Sequence, residues 1–179
     1  GEKGWGVISM SAAPKRMLAS WEPYREALSK REGREAQLGE GVGVCTAFYV
    51  GETTEEALNT IRPCINAYYD FLGGSRPAGE WTKHGYLDIG EEMTPGDEAS
   101  DWFDFLNKRG IIVVGDAKFV AERFAEKQET IGLDHLMLMQ QYTGVPYEKI
   151  LASWHRLFEH VVPQFGTQSI AQKREAGHA

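Results

Sequence analysis

Most of what would identify this chain at a glance is missing from it. Its 179 residues hold only two cysteines, Cys45 and Cys64, too few and too far apart for a disulfide framework or a C-x-x-C metal or redox pair. Both read as reduced core residues, since free Cys packs as a small hydrophobe, and the expected compartment is the cytoplasm. No apolar stretch approaches the roughly 18 residues a membrane span needs, and no signal-peptide core stands near the start. Basic charge is also scarce. The net charge is -7, and basic residues cluster only as isolated Lys-Arg pairs, of which Lys30-Arg31 and Lys173-Arg174 are each followed by Glu. Nucleic acid is therefore excluded as a partner, because phosphate binding needs a basic stripe.

Complete catalytic motifs are absent too. There is no P-loop, no nucleophile elbow and no Cys/His pair. The five histidines include His155 and His160, but a spacing of five sends two rings to different helix faces, whereas metal ligands stack at i, i+4. No metal site is expected. Gly39-Glu40-Gly41-Val42-Gly43 lacks the last glycine of a dinucleotide fingerprint and precedes a strand, the reverse of the order phosphate cradling requires.

What remains is an ordinary globular composition, 42% hydrophobic and 25% charged, with a clear alternation of patterns. Apolar runs beginning at Trp5, Val42 and Leu133 read as strands, and a weaker one begins at Ile111. Helices follow. Pro14 suits a first turn ahead of Met17, Trp21, Tyr24 and Leu28. Thr53-Thr54-Glu55-Glu56 forms a capping box ahead of Leu58, Ile61, Ile65, Tyr68, Tyr69 and Leu72, in which Pro63 should kink the helix or shift its start. Asp116 caps the helix of Phe119, Val120, Phe124 and Ile131. The last helix carries Ile150, Leu151, Trp154, Leu157, Phe158, Val161 and Val162, and Pro163 ends it. Strand and helix in strict alternation predict α/β architecture with a parallel sheet. A closed eight-stranded barrel takes roughly 250 residues, more than this chain has.

Ligands of such folds collect where strands end and helices begin. That rule selects two groups. Ser9, Met10 and Ser11 end the first strand, where hydroxyls can hold an oxyanion or the edge of a ring cofactor; Ser11 can equally cap the next helix. Gln140, Gln141 and Tyr142 end the last strand, as site residues or as loop residues satisfying backbone groups. Met137 and Met139 read as sheet filling. Between positions 73 and 96 the pattern dissolves into Gly, Pro, charge and aromatics, too long for a simple connection. This excursion reads as lying over a site, with Trp81, His84 and Tyr86 as a lid or as a packed loop.

Three pieces resemble the bacterial-luciferase-like flavin monooxygenases. Gly4 to Ser11, with a helix containing Trp21-Glu22-Pro23-Tyr24-Arg25, is similar to that family's sixth strand and helix, and Phe48 to Ala57 to its seventh strand and exit. Val114 to Arg123, then Gly132-Leu133-Asp134-His135, then Ser153 to Pro163 resemble its C-terminal signature in order and spacing. The resemblance implies a partial TIM (β/α)8 barrel, roughly its last three β/α units, spanning residues 1–166 with an insertion at 73–110 and a frayed tail at 167–179. It implies reduced FMN as cofactor, with a deazaflavin as the alternative, and a small organic substrate oxidised with molecular oxygen. Ser9, Met10 and Ser11 would meet the flavin. Gln140, Gln141 and Tyr142 would stand at the mouth of the eighth strand, facing substrate. The family's active-site histidine and first five strands would precede Gly1. The isolated chain is then expected to hold no catalytic residue, to be inactive, and to need the missing N-terminal half or another copy. A non-catalytic flavin-binding or assembly module and a deazaflavin-dependent reductase are the competing expectations.

Overall fold

The computed structural model describes residues 1–10, 13–75, 82–132, 135–140 and 142–166, the side chains of 73–75 excepted. Four strands form one parallel sheet: β1 (Val7–Met10), β2 (Val42–Val50), β3 (Ile112–Gly115) and β4 (His135–Met139). All pairing passes through β2. Its first half lies beside β1, its second half beside β3, and its middle beside β4. The weak run at Ile111 is thus a true strand, buried along its whole length.

Helices α1 (Pro14–Glu32), α5 (Ala117–Ile131) and α6 (Tyr147–Arg156) cover one face of the sheet. Val42 and Val44 of β2 pack there against Met17 and Trp21 of α1 and Ile131 of α5. Phe48, Val50 and Val113 continue the layer against Val120 and Phe124 of α5 and Leu157 and Val161 beyond α6. The other face of the β2–β3 half carries α2 (Thr54–Ser75) and α4 (Trp102–Lys108), where Tyr49, Ile112 and Val114 meet Ile61, Ile65, Phe103, Phe105 and Leu106. Strand alternation produces this division, since successive side chains point to opposite faces.

The local signals hold with three adjustments. Asp116 caps α5 by accepting from the Phe119 amide at 2.9 Å. Thr53 accepts from the Glu56 amide at 3.1 Å, but the Glu56 carboxylate turns to Thr60 and to Lys149 of α6 instead of closing the capping box. Helix α2 starts at Thr54 and continues through Pro63, so the proline does not shift its start. The final helix changes character after Arg156, passing through a π turn at Leu157–Val161 and a 3-10 turn at Val162–Gln164. Leu151 and Phe158, expected in its apolar stripe, are exposed. Among the described residues no helix is long and apolar enough to cross a membrane.

The glycines before β2 are a packing device. Gly39 adopts φ +79°, and a Cβ there would sit 1.4 Å from the carbonyl oxygen of Gly132, the residue that ends α5. Two loop backbones therefore touch, which only residues without a side chain permit. Gly39→Ala is expected to destabilise the protein by more than about 2 kcal/mol, because the left-handed penalty of about 1–2 kcal/mol is joined by displacement of backbone. Gly33, which ends α1 at φ +65° with nothing within 4 Å, is the control: Gly33→Ala costs the conformational part alone. Equal losses for the two variants in urea unfolding would contradict the contact.

Candidate functional site

Register fixes which strand residues share a face. Ile8, Gly43 and His135 stand side by side across β1, β2 and β4, as do Met10, Cys45 and Met137, and Ala47 of β2 lies between Ile112 and Met139. These rows are on the face opposite α1, α5 and α6. Around β1 and β4 that face is open: Ile8 is 50% exposed, Met10 67%, Met137 49% and Met139 43%. Met137 and Met139, expected as filling, instead form an uncovered apolar surface.

The candidate cofactor residues divide according to this alternation. Met10 points to the open face. Ser9 points the other way, and its hydroxyl accepts a 2.8 Å hydrogen bond from the Trp21 indole. Ser9 and Met10, expected at one cofactor, therefore point to opposite faces of the sheet. Ser11 lies outside the described residues.

The second group divides likewise. Gln140 turns to α6, where its amide donates to the hydroxyl of buried Ser153. Ser153 also accepts the Val50 amide at 2.8 Å, closing the end of β2. Tyr142 turns back toward β2 and donates to the Phe48 carbonyl at 3.0 Å. Burial pushes its phenol well above the ordinary value, so it stays protonated. Gln141 lies outside the described residues.

Tyr142 lines a cavity of about 520 Å³ between α2 and the sheet, over the middle of β2, the start of β3 and the end of β4. Ala47, Ile112 and Met139 form its floor, and Cys64, Ile65, Tyr68 and Phe71 of α2 contribute its wall. The small Ala47 between two longer side chains makes the hollow. In sequence Ile65 and Tyr68 read only as part of a helix core stripe and Cys64 as a core cysteine, while Phe71 stood outside that stripe. The one signal was aromatic residues on too wide an arc of α2, since Phe71 joins Tyr68 and Tyr69 there.

The excursion is pinned beside these elements. Asp88 accepts from the Lys15 and Arg16 amides at 3.1 and 3.0 Å, capping α1 just past the end of β1. Burial alone would raise its carboxyl, but the amides of Lys15, Ile89 and Arg16 outweigh it and hold the group below its usual value. Asp97 is buried, paired with Arg109 at 3.1 Å and Lys108 at 3.2 Å. The Arg109 guanidinium, helped by the Thr94 hydroxyl, holds that carboxyl far below the carboxylate range. Tyr86 packs edge-on against Tyr69 and Trp102, so of the proposed lid trio it is a packed residue; His84 is exposed and Trp81 lies outside the described residues. His155 and His160 are solvent-facing. Among the described residues no cluster of His, Cys, Asp and Glu is arranged to hold a metal.

No protein-family model matches this chain, and no curated protein matches it in sequence. Solved structures do match. The monooxygenase RslO1 of Streptomyces bottropensis superposes with a TM-score of 0.68 over 92% of this chain, at 18% identity. The oxygenating constituent of 3,6-diketocamphane monooxygenase from Pseudomonas putida, a type II Baeyer–Villiger enzyme solved with FMN, gives 0.65 over 94%, also at 18% identity. These neighbours are bacterial-luciferase-like flavin-dependent monooxygenases. What is shared at such identity is the fold. The chain spans 43% and 45% of their respective lengths.

Two outcomes follow from the site's bonding. Ser153→Ala would leave the Val50 amide and the Gln140 side chain without their shared acceptor, so a loss of about 1–3 kcal/mol is expected from urea unfolding; an unchanged midpoint would contradict it. Asp88 and Asp97 both have folded-state pKa values below their unfolded ones. Their contribution is complete above the unfolded carboxylate range near about 4 and is lost as pH falls through the depressed folded values. Limited proteolysis within 82–110 is therefore expected to stay flat from about pH 5 to 8 and to accelerate on acidification below about 4. Asp97→Asn should show fast cleavage at every pH.

Proposed function

We propose that this chain forms roughly the last three β/α units of a TIM-type barrel, and that the intact molecule is a flavin-dependent monooxygenase oxidising a small organic substrate with molecular oxygen and reduced FMN. One observation carries this reading: two parallel strands flanking β2 present Met10, Met137 and Met139 on a single open face, in a fold superposable on two such enzymes over more than nine-tenths of the chain. An open face of this kind on strands meant for a closed sheet is completed by further strands, which the remaining length of the neighbours supplies.

The residues present fit the ring portion of FMN. A flat heteroaromatic ring needs an apolar support at strand ends, and Met10 offers an exposed, polarisable thioether there. Bound there, the flavin would supply the oxygen chemistry, as cofactors do while the protein orients and excludes water. Ser9 fixes the strand end through Trp21, and Ser11 is placed by sequence to bond the ring edge. Tyr142, with Gln141 beside it in sequence, faces substrate, and Gln140 holds that strand end against Ser153. The phosphate would be held by residues other than the strand-end methionines, since the imidazole of His135 on this face stands at the amino end of β4.

Titration of the intact protein with FMN, followed by flavin fluorescence, is expected to saturate, and oxygen uptake should depend on a flavin reductase supplying reduced FMN. Met10→Asp should weaken FMN binding at least tenfold, about 1.4 kcal/mol, without shifting the melting temperature, since this side chain is exposed. Tighter binding of a deazaflavin than of FMN, or indifference to Met10→Asp, would overturn the assignment.

A further inference from the structure

The cavity beside Tyr142 has a lining that selects by charge. Its described wall and floor consist of Ala47, Ile65, Ala67, Ile112 and Met139, the rings of Tyr68, Tyr69, Phe71 and Tyr142, and the groups of Cys64 and Thr143. None of these carries a charge at neutral pH. Burial pushes the Cys64 thiol up and the Tyr69 and Tyr142 phenols up, so each stays in its neutral form. Two of the polar groups are already committed: the Tyr142 hydroxyl to the Phe48 carbonyl, and the Cys64 thiol to the Thr60 carbonyl at 3.7 Å. The Thr143 and Tyr68 hydroxyls, both on exposed residues of the lining, are left for a ligand.

We infer that this cavity is the substrate site and takes an uncharged, largely apolar ring compound bearing a single carbonyl or hydroxyl, while rejecting carboxylates. The substrate assignment rests on the monooxygenase reading; the binding preference does not. A volume of about 520 Å³ lies within the usual range for small-molecule pockets. Aromatic side chains on one wall offer stacked and edge contacts to a ring. An ionised group brought into this lining would lose its hydration and find no opposite charge, which is the costliest way to bury a polar atom. One acceptor on the ligand can be met by Thr143. Ala47 sets the depth of the hollow, because its register neighbours Ile112 and Met139 are both longer.

The test uses three naphthalenes of one shape and the protein without flavin. Quenching of intrinsic fluorescence by 2-acetonaphthone is expected to saturate, with 2-naphthoate and 2-naphthylmethylammonium each binding at least tenfold more weakly. The cation arm matters because the protein's net charge of -7 would by itself repel an anion; a cation that binds as well as the ketone overturns the inference. Ala47→Leu should abolish ketone binding. Should that variant misfold, Tyr68→Asp, on an exposed wall position, should cut ketone affinity at least tenfold and leave the melting curve unchanged; unaltered binding overturns the site. Ketone binding without any FMN binding would sink the cofactor assignment and leave the cavity's preference standing. FMN binding without ketone binding would do the reverse.

Discussion

The structure depends on a single buried strand. Among the described residues every other strand hydrogen-bonds to β2, and its side chains are covered on both faces along the half that ends at Val50. A strand enclosed in this way reads as a continuous apolar run, which is how parallel sheets differ from half-exposed ones. Enclosure also imposes a constraint. The chain end after Val50 cannot leave a polar backbone group unpaired, and Ser153 and Gly115 answer it by bonding the Val50 and Gly51 amides at 2.8 and 2.9 Å. These two bonds bring α6 and β3 to the same strand end. The carboxyl-terminal rim is consequently assembled from four separated stretches of sequence.

How much of this was legible depended on how local each cause was. Pro14, Thr53 and Asp116 act on amides within a turn of themselves, and the helix starts they announce are where the structure has them. Strand existence and direction followed from alternation alone, including the parallel arrangement of β1, β2 and β4. Of the two effects expected of Pro63, a shifted start does not occur, because a helix packed on Tyr49 and Ile112 tolerates a proline that an isolated helix would not. Phe158 was assigned to the apolar stripe from periodicity, which a π turn resets after Arg156, whereas Leu151 precedes that turn and sits on the exposed edge of α6 itself. The candidate site was legible as a place, the ends of the first and last strands, but not as a set of directions. A sheet sends neighbours to opposite sides, so Ser9 and Met10 point apart, and past the end of β4 Gln140 turns to α6 while Tyr142 turns to β2, directions that follow from their partners and not from the sequence pattern. The cavity escaped notice because its wall comes from α2, whose aromatics satisfy the requirements of an ordinary core.

The two ends of the sheet are built by different means. At the amino end, glycine backbones meet directly, Gly39 on Gly132, and the spacing between the approaches to β2 and β4 is set by main chain alone. At the carboxyl end side-chain ties join the Gly51 to Gly115 main-chain bond, with Asp88 on α1 and Glu56 on Lys149. Main-chain contact is rigid, whereas side-chain ties can be retuned by single substitutions. Variation in what the rim recognises can thus be accommodated without disturbing how the strands are spaced.

The sulfur-lined face carries a chemical liability along with its adaptability. Three thioethers, Met10, Met137 and Met139, stand in the open where a reactive oxygen species could reach them. Conversion of any of them to the sulfoxide would replace a soft apolar surface by a polar, chiral one. Adjacent strand ends would then present a dipole where they now present none, and a surface suited to a flat greasy ring would become one that water prefers.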